Sequence, residues 1–165
     1  MISQSKKTIK TRKVCLVLHN IRSCHNVGSI FRTADAVGVS KIFICGETPS
    51  PIDRFGRARK DIAKVSLGAE KSVEWEYVKD IHELLTNLKK EKYSIFALEQ
   101  DERSVDYRKV KVGKLSLLIL GNEVNGISKD ILDKCDEIIE IPMRGEKESL
   151  NVAVSAGVAL FSIWL

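Results

Sequence analysis

The sequence predicts an α/β domain built on a mainly parallel sheet flanked by helices. Short apolar runs alternate along the chain with stretches whose apolar residues recur at helical spacing. Several of the short runs are apolar on both faces, as parallel strands are when helices cover both sides of a sheet. Strand and helix in alternation favour a parallel sheet, because each crossover between parallel strands needs a connection as long as a helix.

Five segments have the composition of buried strands, since they are short, apolar and rich in Val, Ile and Leu. A sixth segment, residues 73–78, alternates polar and apolar residues and is predicted to be an edge strand. In chain order the five buried strands are predicted over residues 14–18, 41–45, 93–98, 115–120 and 136–141.

Helical spacing of apolar residues predicts helices between these strands. Residues 27–37 carry such a pattern and end at Gly38, a predicted C-cap, and residues 80–90 repeat the pattern. A helix is predicted to follow Ser128, and a last helix to open at Ser149 and run to the C-terminus. The last helix is apolar nearly all round, which predicts that it is buried, either within the protomer or between subunits.

Residues 46–68 do not fit the alternation of strand and helix. Pro49, Pro51 and Gly56 interrupt regular structure there, and charged residues cluster in the same stretch. The segment is predicted to be a long surface loop with room for one helical turn. Loops of this length in compact domains are usually functional or mobile.

The positive charge of the chain is concentrated in two segments. Residues 1–13 contain five basic residues and no acidic one, while residues 53–64 contain five basic and two acidic residues. These segments contribute +5 and +3 to a net charge of +5, so the rest of the chain carries −3. Such a distribution is typical of a surface that binds a polyanion. Two solvated surface segments explain the charge alone equally well.

Nothing in the sequence points to export, a membrane or a metal. The N-terminal residues lack the apolar core of a signal peptide, and the apolar residues 152–165 are too few to cross a bilayer. The four cysteines are scattered without CxxC spacing, and His19 and His25 have no second ligand pair. We therefore expect a cytoplasmic protein without a metal.

Polar residues crowd three places where a predicted strand meets a helix, the position at which open α/β sheets bind ligands. The first is residues 19–32, HNIRSCHNVGSIFR. Asn26 either caps the helix or holds a substrate, and capping is the ordinary role for an asparagine at this point. Arg32 is either a functional residue or one partner of a surface salt bridge.

The second place is residues 117–128, LLILGNEVNGIS, where Gly121 and Glu123 follow a strand. A plain turn explains the glycine but does not call for a carboxylate between two amides. The third is residues 139–160, IEIPMRGEKESLNVAVSAGVAL. Ser149 and Asn151 cannot both be the N-cap of the following helix, so at least one of them is free to bind backbone or ligand.

The three segments together resemble the three motifs of the SpoU/TrmH-type RNA ribose 2′-O-methyltransferases, a branch of the SPOUT superfamily. The resemblance rests on NVGSIFRTADAVGV, LGNEVNGIS and IPMRGEKESLNVAVSAG, in the order and spacing of that family. A single NVG or GNE carries little information, whereas three motifs in series are specific. Essentially the whole chain, residues 1–165, fits one catalytic domain of this type.

The resemblance implies transfer of a methyl group from S-adenosylmethionine to a ribose 2′-hydroxyl of tRNA or rRNA. The residues that match the family's catalytic positions are Asn26, Arg32, Glu123, Ser149 and Asn151. The cofactor pocket implied by the resemblance involves Leu98, Glu99, Gly121, Ile141, Met143, Ser149 and Leu150. The residues predicted to contact RNA are Lys10, Arg12, Arg22, Arg54, Arg57 and Arg59.

The role of Arg32 stays open at this point. The family's arginine is held to act on the target hydroxyl, but an arginine has a pKa above about 12 and is a poor base. Arg32 therefore either positions the hydroxyl and a phosphate or acts as a base in a surrounding that depresses its pKa.

The resemblance also implies a C-terminal trefoil knot, a homodimer packed through helices near the knot, and no metal. The sequence shows no appended RNA-binding module, so we expect a bare catalytic domain. One alternative is a catalytically inactive RNA-binding protein of the same fold, which the presence of all five motif side chains disfavours. Another is a dinucleotide-dependent oxidoreductase, which the lack of GxGxxG after the first strand disfavours.

Overall fold

The computed structural model describes residues 12–164, and a seven-stranded sheet lies at their centre. Every pair of neighbouring strands is parallel, which confirms the predicted fold class. The strands are β1 (Lys13–His19), β2 (Lys41–Cys45), β3 (Trp75–Val78), β4 (Ser94–Leu98), β5 (Val105–Asp106), β6 (Leu115–Leu120) and β7 (Glu137–Glu140). Their order across the sheet is β3-β2-β1-β6-β4-β7-β5.

Helices cover both faces of the sheet. They are α1 (Cys24–Val37), α2 (Lys60–Ser66), α3 (Ala69–Ser72), α4 (Ile81–Lys90), α5 (Lys129–Leu132) and α6 (Val152–Ile163), and a 3₁₀ turn spans Tyr107–Lys109. Apolar residues of α1, α2, α3 and α6 form one buried cluster, and those of α4 and α5 form the other. Strand β1 serves both clusters, since Leu16 and Leu18 face the first and Cys15 and Val17 the second.

The six strands predicted from the sequence are all present, and β3 lies at one edge of the sheet as predicted. The strand that the sequence did not reveal is β5, whose two residues pair with β7 at the other edge. Two residues are too few to show a periodic pattern. The helix predicted to end at Gly38 does so, with Gly38 in the left-handed region at φ 83°.

The predicted loop over residues 46–68, which allowed for one helical turn, contains the seven-residue helix α2 in its second half. Ile62 of α2 is fully buried against α1. The two helices approach so closely that a side-chain carbon on Gly28 of α1 would lie 2.8 Å from the Ile62 carbonyl oxygen. Packing against α1 therefore stabilises α2. The sequence of this helix follows two prolines and does not by itself predict a helix.

The last helix differs from the prediction in its start, and within the protomer it is buried on one face. It begins at Val152, and the Asn151 side chain caps it by accepting hydrogen bonds from two backbone N–H groups of its first turn. Ser149 therefore precedes the helix and does not open it. Only one face of α6 is buried in the protomer, because Val154 and Phe161 are half exposed.

No helix within residues 12–164 is long and apolar enough to cross a membrane. The trefoil knot implied by the resemblance stays a prediction.

All strands run the same way, so the carboxyl ends of β1, β2, β4, β6 and β7 lie along one edge of the sheet, which runs across the strands and is distinct from the edge strands β3 and β5. We call this edge the carboxyl edge, and the three motif segments all lie on it.

Candidate active site

Glu123 connects two of the three motif segments at the carboxyl edge. It lies in the turn after β6, and its carboxylate faces the segment that joins β1 to α1. The backbone N–H groups of Arg22 and Ser23 donate to it at 3.2 and 3.3 Å, and the Asn26 side-chain amide donates at 3.0 Å. Three donors on one carboxylate hold the start of α1 against the β6 turn.

Asn26 connects the third motif segment to this arrangement. Its side chain is buried, with 7% exposed, and its Oδ1 accepts a hydrogen bond from Asn151 Nδ2 at 3.0 Å. Asn151 uses its own Oδ1 to cap α6. A continuous chain, Asn151 to Asn26 to Glu123, therefore joins all three motifs, and we call it the amide–carboxylate chain.

The expectation that Asn26 caps α1 is wrong. Ser23 is the N-cap, and its hydroxyl accepts from the Asn26 backbone N–H at 3.2 Å. The Asn26 side chain is thus free to join α1 to the other two motifs. Sequence reasoning missed Ser23, although a serine three residues before Asn26 and just ahead of the apolar periodicity is a recognisable capping signal.

Two opposing effects act on the pKa of Glu123. Partial removal from water raises it, while the hydrogen bonds from Asn26 and from the backbone of Arg22 and Ser23 lower it. The hydrogen bonds dominate, so the pKa of Glu123 lies below its ordinary value and the side chain is ionised at neutral pH. The carboxylate therefore acts as a fixed acceptor that binds loops together.

The turn after β6 is built to bring backbone close to backbone. A side-chain carbon on Gly121 would lie 2.5 Å from Ile127 Cγ1 and 2.8 Å from the backbone of Gly126. Gly126 has φ 65°, and its N–H donates to the Asn122 carbonyl at 3.0 Å. Asn122 in turn donates its side-chain amide to the Asn20 carbonyl at 2.8 Å. This contact between two asparagines after two strands was not predicted.

A cavity of about 550 Å³ opens on the carboxyl edge beside the amide–carboxylate chain. All seven residues predicted for the cofactor pocket line it: Leu98, Glu99, Gly121, Ile141, Met143, Ser149 and Leu150. Of the predicted catalytic residues, Glu123, Ser149 and Asn151 also line it. The cavity therefore collects residues from the turns after β4, β6 and β7 and from the start of α6.

The cavity has an acidic lining. Four glutamates contribute to it, Glu99, Glu123, Glu140 and Glu148, and no lysine or arginine of the described chain does. Gln100 closes one side by donating its side-chain amide to the Glu148 carbonyl at 2.6 Å. The arrangement suits a ligand that carries positive charge and disfavours one that carries phosphates.

Arg32 is not brought into this cavity. It lies on an exposed part of α1, and its side chain forms no ion pair within residues 12–164. The predicted salt-bridge role thus has no partner in the described part of the chain. Asn26 is likewise absent from the lining and reaches the cavity through its contacts with Glu123 and Asn151.

The arginines predicted to contact RNA fall into two groups. Arg22 pairs with Glu47 at 3.2 Å and Arg57 with Asp53 at 3.0 Å, and both arginines are exposed. Arg54 is also exposed, whereas Arg59 is partly buried and its Nε atom has no hydrogen-bond partner in the described structure. Of the N-terminal residues predicted for RNA, Arg12 is exposed and Lys10 lies outside the described residues.

No group of three His, Cys, Asp or Glu side chains within residues 12–164 is placed to hold a metal ion. His19 and His25 are not part of such a group. The four cysteines are free thiols, and burial raises the pKa of the Cys45 and Cys135 thiols to about 12, which makes them poor nucleophiles.

Comparison with known proteins assigns this arrangement to a family. The SpoU rRNA methylase family matches residues 13–161. A protein of Staphylococcus saprophyticus, named as a TrmH family tRNA/rRNA methyltransferase, is 34% identical over 163 residues, which are 99% of this chain and 62% of the relative. A protein of the same name from Staphylococcus haemolyticus is 32% identical over 161 residues, or 98% and 62% of the two chains. The chain thus spans less than two thirds of the length of these relatives.

Solved structures give the same assignment. The TrmH/SpoU tRNA modifying enzyme of A. aeolicus superposes with a TM-score of 0.80 at 30% identity, over 92% of this chain and 73% of that one. The rRNA methyltransferase of Sinorhizobium meliloti, solved with AdoMet bound, superposes with a TM-score of 0.79 at 28% identity, over 91% and 55%. The sequence and the fold are therefore those of a known family, and this chain belongs to the SpoU rRNA methylase family.

Proposed function

We propose that this protein transfers a methyl group from S-adenosylmethionine to a ribose 2′-hydroxyl of tRNA or rRNA. The observation that carries the proposal is the cavity lined by the second and third motif segments, which the amide–carboxylate chain joins to the first motif segment. The staphylococcal relatives are named as tRNA/rRNA methyltransferases, and the Sinorhizobium protein was solved with AdoMet bound.

The cavity suits S-adenosylmethionine in size and charge. Its volume of about 550 Å³ falls in the range of pockets that hold ligands of this size, about 300–1,000 Å³. Leu98, Ile141 and Leu150 offer apolar surface for an adenine ring. The four glutamates favour a ligand with a sulfonium and an amino group, and they disfavour the pyrophosphate of a dinucleotide. The cofactor proposed here therefore fits better than the nicotinamide cofactor of an oxidoreductase.

When bound, S-adenosylmethionine would supply an electrophilic methyl group on its sulfonium. Attack of the ribose oxygen on the methyl carbon would break the carbon–sulfur bond and release S-adenosylhomocysteine, and the hydroxyl proton would pass to water or to a base. The protein's task is then to hold the ribose hydroxyl in line with that methyl group, and such positioning supplies much of the acceleration. We assign this task on the RNA side to Arg32, whose guanidinium is exposed and able to hold the hydroxyl and a neighbouring phosphate. Ser149 and Asn151 line the cavity on the cofactor side.

A homodimer is part of the proposal. Leu150, Val154 and Phe161 lie in or beside α6 and expose 43%, 53% and 49% of their surface. An exposed apolar face of this kind is typical of a subunit interface. Ala156 is fully buried within the protomer and packs in the cluster that includes α1. Val154→Asp and Phe161→Asp are therefore the changes expected to yield a monomer in sedimentation, with the fold retained.

The RNA is proposed to contact Arg22, Arg54 and Arg57, which are exposed, with help from Arg12 and, outside the described residues, Lys10. Arg59 is the weakest of the predicted contacts, because it is partly buried. The proposed location is the cytoplasm, where tRNA and rRNA occur. We also propose that residues 1–165 act as one methyltransferase domain.

The test is binding and turnover with purified protein. Calorimetry with S-adenosylmethionine and a chelator should show one site per chain, and Ser155→Trp, which fills the cavity from α6, should abolish the heat while leaving the fold intact. Digestion of total RNA after reaction should release 2′-O-methylated nucleosides. RNA binding without any cofactor binding would instead identify an inactive RNA-binding protein. Mapping ribose methylation in cells with and without the gene identifies the RNA.

A further inference from the structure

An exposed phenylalanine lies between two arginines in the loop that joins β2 to α2. Phe55 exposes 65% of its surface. The guanidinium carbons of Arg54 and Arg57 lie 4.8 and 5.0 Å from the centre of its ring. We call these three residues the Phe55 platform. None of them lines the cavity. Arg54 and Arg57 are among the proposed RNA contacts, whereas Phe55 has no role yet in the proposed function.

The loop that carries the platform is shaped by hydrogen bonds among its own residues. Asp53 Oδ1 accepts from the N–H groups of Phe55 and Arg57 at 2.8 and 2.9 Å, and Oδ2 accepts from Arg57 Nε at 3.0 Å. The Asp53 N–H donates to the Arg57 carbonyl at 2.8 Å, and Ile52 and Ala58 pair as an antiparallel bridge. The ring is therefore presented by a pre-organised turn, which lowers the entropy lost on binding.

The two arginine side chains differ in how they are held within the loop. Arg57 is tied to Asp53 through Nε, whereas Arg54 forms no ion pair with any residue of the described chain. Arg54 is thus able to leave the ring and bind an anion while Phe55 offers its face to another planar group. An aromatic face beside mobile positive charge is the combination that binds single-stranded nucleic acid, since bases stack on the ring and phosphates pair with the cations.

The loop that carries the platform begins at the carboxyl edge, where the cavity also opens. The loop leaves the carboxyl end of β2, where the Glu47 N–H donates to Asn20 Oδ1 at 2.9 Å and the Glu47 carboxylate pairs with Arg22. The backbone N–H of Arg22 in turn donates to Glu123. One short series of contacts therefore joins the base of the loop to the proposed active site.

We propose that Phe55 stacks on an unpaired base of the RNA substrate, while Arg54 and Arg57 bind adjacent phosphates. The inference rests on the proposed RNA methyltransferase function and names the feature of the RNA that is recognised, a single-stranded segment. Bases in an A-form duplex are already stacked on each other and do not offer their faces, so a duplex lacks the group that Phe55 binds.

Two probes separate stacking from charge. The first is an oligouridylate of about 12 nucleotides, within the site size of single-strand binding proteins. The second is an oligomer of the same length that carries abasic tetrahydrofuran units, which keeps the phosphates and lacks the bases. Binding is measured without S-adenosylmethionine, so a failure of the proposed methyl transfer does not affect the result.

Phe55→Leu keeps an apolar side chain and removes the aromatic face. It should weaken binding of the oligouridylate by about 5- to 100-fold, leave binding of the abasic oligomer unchanged, and leave the salt dependence unchanged. Phe55→Trp should retain oligouridylate binding. Arg54→Gln should weaken both probes and reduce the salt slope by about 0.7 if it contacts one phosphate.

Leu67→Ala is the matched control, because Leu67 exposes 66% of its surface at the end of α2 and, being aliphatic, offers no ring face. It should change neither probe. The proposal is overturned if wild-type protein does not bind the oligouridylate, if Phe55→Leu binds it as well as wild type, or if Phe55→Leu weakens both probes equally. Equal binding of oligouridylate and duplex RNA by wild type would also overturn it.

Discussion

Two carboxylates of this protein, Glu123 and Asp53, each accept three hydrogen bonds, but their donors lie at very different distances along the chain. The donors to Glu123 are 97 to 101 residues away, on the segment before and within α1. The donors to Asp53 are two and four residues away, in its own turn. Glu123 therefore connects separate motifs by hydrogen bonds, whereas Asp53 stabilises the turn of one surface loop.

This difference separates the two halves of the proposed function. The Glu123 region forms an acidic cavity that exists only when three distant segments have met. The Asp53 region forms a basic, exposed loop that its own residues shape. We expect changes in the first region to alter stability and cofactor binding together, and changes in the second to alter RNA binding with little effect on stability.

The largest expected effect is on catalysis at Arg32, a motif residue that forms no ion pair in the described structure. Arg32→Ala should lower single-turnover methylation by about 100-fold, the size of effect that a misplacement of about 1 Å produces. The free energy of unfolding and the affinity for S-adenosylmethionine should not change, because Arg32 is exposed and lies outside the cavity. Retained methylation would remove Arg32 from the mechanism and leave Glu123 and Asn151 as the motif residues to test.

The next effect is on stability at Asn26, the middle of the amide–carboxylate chain. Asn26→Ala removes the donor to Glu123 and the acceptor for Asn151, so it should reduce the free energy of unfolding by about 2–4 kcal/mol. Urea denaturation measures this, and calorimetry should show weaker binding of S-adenosylmethionine.

The control for Asn26 is Asn125→Ala in the β6 turn. Asn125 is exposed and only its backbone N–H is engaged, by Asn122 Oδ1. Its replacement should change stability by less than about 0.5 kcal/mol. Equal losses in the two variants would contradict the view that the amide–carboxylate chain joins the motifs.

A smaller effect should appear in the pH dependence of stability at Glu123. Its pKa is lowered in the folded protein, so the stabilisation it provides is present above its unfolded pKa of about 4.3 and is lost as pH falls through the folded pKa. At pH 7 the wild-type protein should therefore unfold at a higher urea concentration than Glu123→Gln. The difference between the two urea midpoints should become smaller below about pH 4. A gap that stays constant with pH would show that the charge of Glu123 does not hold the loops.

The smallest expected effect on stability is at Asp53. Its pKa is also lowered, first by the hydrogen bond from the backbone N–H of Arg57. The stabilisation that Asp53 provides is therefore also lost as pH falls through its folded pKa. Its donors stay close in the unfolded chain, so Asp53→Asn should shift the melting temperature by less than about 2 °C. Oligouridylate binding should nevertheless weaken, because the turn no longer fixes Phe55 and Arg57. A larger loss of stability than in Asn26→Ala would reverse the comparison between the two regions.

Much of the fold could be predicted because its signals are local. The strands β1, β2, β4, β6 and β7 are short apolar runs, and the ends of α1 and α4 follow from residues beside them, Gly38 and Asp80. The two failures have different causes. β5 is too short to show a pattern, and α2 forms because Ile62 packs against α1, which no window of sequence around α2 contains.

Most residues of the candidate site could be named from the three motifs, and Leu98 and Glu99 from the family resemblance. All seven predicted cofactor residues line one cavity. Their contacts could not be predicted. Asn26 was expected to cap its own helix, yet it bonds to Asn151, 125 residues away. A capping residue satisfies a backbone group within three residues, whereas Asn26 has its partners only after β1, β6 and α6 have come together.

The sequence by itself determined the alternation of strands and helices, the three motifs and the two basic segments, because each depends on neighbouring residues. Tertiary structure alone decided which motif side chains face the cavity, that Arg32 stays outside it, and that Glu123 accepts from the start of α1. The physical reason is the entropy lost when side chains about 100 residues apart are brought together. Packing of the sheet and helices offsets this loss, and only then does the hydrogen bond between such side chains form.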